Sequence, residues 1–306
     1  MRARRWVASL VAVGSVAASV AFLPAGATED RDPRWNVVVI VTDDQDMSSI
    51  QQDPPVMPYL RAATQDPSGH WVVFENGFAN TPLCCPSRAT LLTGQYAHEH
   101  GVTKNDDALL LDQRTTIAAW LDEAGYHTGL VGKYLNQYPF GRSPFVPQGW
   151  DEWVGKEQGT GKTVYYDYTL VQQGVEISYG RSEADYITDV LAEDAVAFVR
   201  DAPLEDPFLL WFAPTAPHPP WTPAPRHRGA FEDLEIVESP SVGELDVSDK
   251  PEWVQDLSPL GKPARARLIE ERRLSYETLL AVDDAIRDIV EALESRGDLE
   301  RTMIVF

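Results

Sequence analysis

The sequence has little cysteine, a deficit of basic residues and almost no long apolar run. Its 306 residues include two cysteines, Cys84 and Cys85, and they are neighbours. A domain stapled by disulfides shows spaced, paired cysteines, so that class is excluded. A bridge between adjacent cysteines is strained and rare. The pair is therefore either buried and inert or chemically active. Lysine and arginine together number 26 against 47 acids, a formal charge of −21. A chain this acidic is a poor general binder of nucleic acid or anionic membrane. An anionic substrate needs local cations to hold it against that field. No repeat period and no low-complexity tract is visible.

Several catalytic signatures are also missing. There is no G-x-S-x-G elbow. Residues 155–163 (GKEQGTGKT) resemble a P-loop, but the glycine spacing is one residue too long and no convincing strand precedes them. His98-Glu99 is not a zinc-protease motif, because Val102 stands where the second histidine belongs. His98 and His100 remain candidates for shaping a site.

The one long apolar run is N-terminal. Arg2, Arg4 and Arg5 precede an apolar stretch from Trp6 to Leu23, and Ala25-Gly26-Ala27 is a small-x-small cleavage signal. Residues 1–27 are expected to be a signal peptide, with export by the general or the twin-arginine route. An uncleaved anchor is the alternative, weakened by Gly14 and three serines. Cleavage removes three arginines and no acid, taking the charge to −24. Stable membrane association is not expected of the remainder.

Hydrophobic residues make up 43% and charged residues 24%, enough apolar content for a real core in one large or two ordinary domains. Short apolar runs at 36–41, 71–74, 126–131, 207–212 and 302–306 predict strands, the first buried on both faces. Helical spacing covers 87–92, 115–124, 183–200 and 265–293. Such alternation implies an α/β fold, a mostly parallel central sheet flanked by helices. Residues 213–262 are rich in proline and acids and predict excursions over one end of the sheet.

Asp43-Asp44 follow the first of these strands, Lys133 the third and His218 the fourth. Ligands of open α/β sheets bind beyond the carboxyl ends of the strands, so these groups are expected on one rim. Two carboxylates at a strand end suit calcium or magnesium better than zinc. The alternative is a solvated turn or a helix cap. An EF-hand is excluded, since Ser49 and Pro55 occupy its glycine and glutamate positions. In CCPSR (residues 84–88), Pro86 marks a helix start, which puts Cys84 where a helix dipole favours an anion and Arg88 one turn in. A buried cysteine pair is the competing reading. Lys133 and His218, each taken alone, read as an ordinary exposed lysine and a loop histidine among six prolines.

CCPSRATLLTG resembles the type I, formylglycine-dependent sulfatases. NVVVIVTDDQD resembles the family's first metal segment, GLVGKYLNQY its GK segment, and APHPPWTPAP its histidine loop. The doubled cysteine, GKYLN, YYDYTL, DYITDVLA and LLAVDDAI are similar to the N-acetylglucosamine-6-sulfatase-like group. The likeness runs from about residue 36 to 306 and implies an alkaline-phosphatase-like fold. It implies that Cys84 is oxidised to formylglycine by a formylglycine-generating enzyme and hydrates to a gem-diol that attacks a sulfate ester. Calcium, one ion, would be held partly by Asp43, Asp44 and the residue made from Cys84. Arg88, Lys133 and His218 match positions that bind sulfate and move protons. The substrate would be a sulfated sugar or an aryl sulfate. In the family a serine-aspartate-(asparagine or histidine)-glycine turn follows the strand that 302–306 matches. Residues 28–306 are thus expected to be an N-terminal catalytic domain ending before the second metal-ligand turn. An inactive fragment, or a phosphate or phosphonate ester hydrolase of the same superfamily, is the alternative.

Overall fold

The computed structural model describes residues 33–67, 69–142, 145–158, 164–236, 242–244 and 246–306. The expected signal peptide lies outside them. Among them, seven strands form one sheet in the order β5-β4-β3-β2-β6-β1-β7. They are β1 (Asn36–Ile40), β2 (His127–Gly132), β3 (Glu152–Lys156), β4 (Thr169–Gln172), β5 (Val175–Ser178), β6 (Phe208–Ala213) and β7 (Thr302–Val305). The five strands from β3 to β7 in that order run parallel, while β4 and β5 add an antiparallel edge. The mostly parallel sheet flanked by helices is therefore observed.

The helices are α1 (Met47–Gln51), α2 (Pro58–Gln65), α3 (Cys84–Thr93), α4 (Ala97–His100), α5 (Ile117–Glu123), α6 (Ile187–Asp201), α7 (Glu252–Gln255) and α8 (Lys262–Arg296). Helices α2, α6 and α8 pack on one face with Val38, Ile40, Leu210 and Phe212; α3 and α5 cover the other with Leu130, Trp153, Leu209 and Trp211. Strand β6, at the centre, is buried along its whole length. Strand β1 alternates, with Val37 and Val39 only partly covered. Its continuous Val/Ile run predicted two buried faces; Val37 and Val39 do pack against the α3/α5 cluster but stay partly covered.

Two other expectations need correction. Residues 71–74 form no strand, and Val72, Val73 and Phe74 are exposed. β-Propensity without a neighbouring strand to pair with leaves the run extended and unladdered. Conversely, β3, β4 and β5 were not anticipated. The β4–β5 hairpin turns on Gln173-Gly174, both with positive φ, the geometry of a two-residue type I′ turn. The strand β3 also corrects the reason given against a P-loop: a strand does precede residues 157–163. The glycine spacing still excludes the motif, and residues 159–163 lie outside the described ones.

The LLAVDDAI stretch has a local explanation. Asp283 of α8 accepts hydrogen bonds from the Tyr59 and Leu60 backbone N–H groups at 2.7 and 2.9 Å. It caps the orphan donors of α2 from outside, because the N-cap residue Met57 has no side-chain acceptor.

Candidate functional site

The carboxyl ends of the parallel strands carry the chemistry. Just past β1, Val41 N–H donates to the Phe212 carbonyl and Asp43 N–H to that of Ala216. The neighbouring strand β6 and the loop that follows it therefore fix the backbone from Val41 to Asp43. Asp44 then takes φ +65°, a left-handed conformation that aspartate tolerates better than most side chains.

Past β2, Lys133 N–H donates to the Ala213 carbonyl at 2.8 Å. This close approach explains the glycine before it. A Cβ on Gly132 would stand 2.1 Å from the Ala213 oxygen, and its φ is +121°. Gly132→Ala is expected to destabilise the fold by about 2 kcal/mol or more. Chemical denaturation measures it, and a loss under about 0.5 kcal/mol would show that β2 and β6 separate freely here.

Helix α3 presents the two cysteines in different directions. It starts at Cys84 and ends at Gly94 with φ +67°. Its N-cap residue Leu83 has no side-chain acceptor, so Asn105 Oδ1 accepts the Cys85 N–H at 3.0 Å. Cys85 is fully buried against the α3/α5 core, and burial pushes its thiol up to about 11. Cys84 points to the rim, its Sγ 3.9 Å from Asp44 Oδ1. The two neighbours thus have different surroundings: Cys85 is core, and Cys84 lies at the rim beside the acids.

The side chains of Asp43, Arg88 and Lys133 form a buried cluster. Lys133 Nζ donates to Asp43 Oδ2 at 2.5 Å. Arg88 Nη2 lies 3.5 Å from Asp43 Oδ1, and its Nη1 donates to the Lys133 carbonyl at 2.8 Å. All three are nearly inaccessible to water. Burial alone would raise the Asp43 carboxyl; the charges of Arg88 and Lys133, the Lys133 hydrogen bond and His218 outweigh it and hold Asp43 below the usual range. Lys133 is therefore not the exposed lysine that the residue alone suggests.

His218 completes the rim. Its Nε2 lies 3.7 Å from Asp44 Oδ2. Its Nδ1 contacts the Pro219 carbonyl at 2.6 Å. A carbonyl only accepts, so Nδ1 carries the proton and Nε2 faces Asp44. Tyr165 donates to the His218 carbonyl at 2.9 Å, fixing the loop. The ligand atoms of Asp43, Cys84 and His218 all lie within 4.8 Å of one another.

Cys84 itself is not set up as a thiolate. Burial raises its thiol, and Asp43 and Asp44 raise it further against the offsetting charges of Lys133 and Arg88. The helix start was expected to favour an anion there, but a buried neighbouring carboxylate acts at shorter range than a helix dipole. His98 and His100 do not join the cluster. His98 stacks on Tyr96, and His100 is buried, contacting Thr90 Oγ1 at 3.1 Å and accepting from Val102 N–H. Sequence reasoning missed Asn105 and Tyr165. Tyr165 opens the YYDYTL stretch, which was noticed without a role; nothing local marks Asn105.

The sulfatase family model matches residues 35–306. Curated relatives include an extracellular sulfatase SULF-1 homolog of Drosophila melanogaster, 33% identical over 90% of this chain and 25% of its own. Human N-acetylglucosamine-6-sulfatase is 32% identical over 89% of this chain and 50% of its own. The chain thus spans half or less of these relatives. A solved structure in complex with its substrate D-glucosamine-2-N,6-O-disulfate superposes with a TM-score of 0.69 at 24% identity, covering 89% of this chain and 64% of that one. A phosphonate monoester hydrolase of Agrobacterium radiobacter gives 0.64 at 20% identity, covering 89% and 61%. At these identities the structures show a shared fold. The ordered motifs, the sheet and the length of the match agree: the chain belongs to the sulfatase family, whose members are sulfuric ester hydrolases.

Proposed function

We propose that the protein hydrolyses a sulfate ester of a sugar, with residue 84 converted to formylglycine and a calcium ion held in part by Asp43 and Asp44. The observation that carries this reading is the convergence of Asp43, Asp44, Cys84, Arg88, Lys133 and His218 from four separate segments onto one rim. Relatives named N-acetylglucosamine-6-sulfatase support the sugar. Extracellular relatives support export after removal of residues 1–27. No helix among the described residues is long and apolar enough to cross a membrane.

The donor set fits calcium once residue 84 is converted. As encoded, Asp43, Cys84 and His218 offer oxygen, sulfur and nitrogen, a soft mixture that suits zinc. Conversion replaces the sulfur by oxygen and leaves, with Asp43 and Asp44, the hard donors that calcium takes. The formylglycine supplies a hydrated-aldehyde nucleophile, and the cation supplies a Lewis acid that polarises the sulfate.

The chain's own residues do the rest. Arg88 and Lys133 hold Asp43 as a carboxylate, the form in which it would ligate a cation. They also place two positive charges beside the nucleophile in an otherwise acidic molecule, where charge develops on the sulfate oxygens. His218, its Nδ1–H held by the Pro219 carbonyl, can give a proton from Nε2 to the departing alcohol oxygen when the ring is doubly protonated. A phosphate or phosphonate ester reading rests on likeness of fold alone.

Peptide mass measurement across residue 84 tests the conversion, using protein made in a host that has the formylglycine-generating enzyme. The aldehyde is expected. Turnover of glucosamine 6-sulfate is then compared with that of a phosphate monoester. Unconverted cysteine together with no turnover would favour a protein without catalysis; faster phosphate release would overturn the sulfate assignment.

A further inference from the structure

Among the described residues, three hydrogen bonds hold His218, and two of them are internal to its own loop. Its N–H donates to the Thr215 carbonyl at 2.9 Å, and its Nδ1 to that of Pro219 at 2.6 Å. The third comes from another segment: the Tyr165 hydroxyl donates to the His218 carbonyl at 2.9 Å. Tyr165 is itself built into the core. It is 1% exposed, and its ring stacks on that of Tyr186, with centroids 5.7 Å and planes 12° apart. Its carbonyl accepts the Ile187 N–H at 3.1 Å, one of the donors that the start of α6 leaves orphaned. Burial pushes the Tyr165 hydroxyl up, and Asp43 and Asp44 add to this against the hydrogen bond of Thr278. The hydroxyl therefore keeps its proton and stays a donor.

That bond bears on the chemistry, because the same residue carries the imidazole whose Nε2 faces Asp44. Hydrogen bonds inside the loop travel with it and do not fix it against the rest of the molecule. The Asp43 N–H ties the loop two residues earlier, at the Ala216 carbonyl. Tyr165 ties residue 218 itself to the core beneath α6 and α8. A misplacement of about 1 Å at a reacting group costs up to about 10²-fold in rate. We propose that Tyr165 is a positioning residue: by holding the His218 carbonyl it sets the imidazole where Nε2 meets the oxygen that leaves the sulfate. This rests on the sulfate-ester reading, in which the bond from sulfur to that oxygen breaks. The oxygen keeps the electron pair and takes the proton from Nε2. A sugar oxygen needs that proton to leave, whereas a nitrophenolate leaves without one. Loss of the tether therefore falls on one class of ester.

Steady-state sulfate release by the calcium-loaded full chain, converted at residue 84, tests it with glucosamine 6-sulfate and p-nitrophenyl sulfate. Tyr165→Phe keeps the ring and removes the hydroxyl. It should lower kcat on the sugar at least about tenfold more than kcat on the aryl ester, with KM for the sugar within about twofold of the parent. His218→Ala should move the ratio of the two rates further in the same direction. Tyr165→Phe/His218→Ala should move it no further than His218→Ala does, because the hydroxyl acts through the histidine. The melting temperature of Tyr165→Phe should fall by no more than about 4 °C, the size of one lost hydrogen bond, which separates misplacement from unfolding. Equal losses on the two esters, or effects that add in the double variant, overturn the proposal. A parent that releases sulfate from neither ester overturns the sulfate-ester reading along with it.

Discussion

Lys133→Met will destabilise the folded chain by about 3 kcal/mol or more and lower its melting temperature by roughly 10 °C. Lys133 and Asp43 are each 3% exposed, and their 2.5 Å contact is the shortest link in the cluster. Removing the ammonium leaves a carboxylate that is almost wholly buried, and Arg88 at 3.5 Å reaches only its other oxygen. Asp43 would then titrate higher, because burial already pushes it up and one of its two main opposing charges is gone. The pair need not be stabilising in net terms: removing one member is expensive chiefly because the other stays buried. Hence the double variant Asp43→Asn/Lys133→Met should recover most of the loss. Thermal unfolding of the two single variants and the double variant closes the cycle. Additive effects would show that the two groups are solvated independently.

Cys84→Ala will reduce release of sulfate from glucosamine 6-sulfate by at least about 10⁴-fold, the scale of losing a nucleophile. Cys85→Ala will leave turnover within about threefold of the parent and cost about 1–2 kcal/mol of stability instead. The contrast follows from helix geometry. Successive residues of a helix point about 100° apart, so two adjacent cysteines cannot share one environment. Cys85 is fully buried among the side chains under the sheet, whereas Cys84 faces Asp44. Steady-state sulfate release with each variant, beside a denaturation curve, reads both effects. Turnover that persists in Cys84→Ala at a tenth of the parent rate would remove residue 84 from the chemistry.

Much of the fold was legible in one dimension. Asn36–Ile40, Phe208–Ala213 and the long α8 were readable because their apolar residues are dense or helically spaced. The short strands β4 and β5 were not: β4 has only two core residues, Leu170 and Val171, and the edge strand β5 is exposed throughout. The 71–74 run misled for the complementary reason: residues of strand type form a strand only where a neighbour supplies hydrogen-bond partners. At the site, the acid pair, Lys133 and His218 were visible as residue types placed after strands, and CCPSR as a cysteine at a helix start.

The sequence by itself determined the chemistry available: adjacent carboxylates after a strand, a cysteine ahead of a helix, cations at strand ends, and their order in a sulfatase pattern. Those are local properties, set by residue type and spacing. Only the tertiary structure decided which of two neighbouring cysteines faces the acids, and that Lys133 is spent on Asp43. Pairing depends on which strands lie side by side. The order β3-β2-β6-β1 brings together residues more than a hundred positions apart, and no local pattern encodes that order.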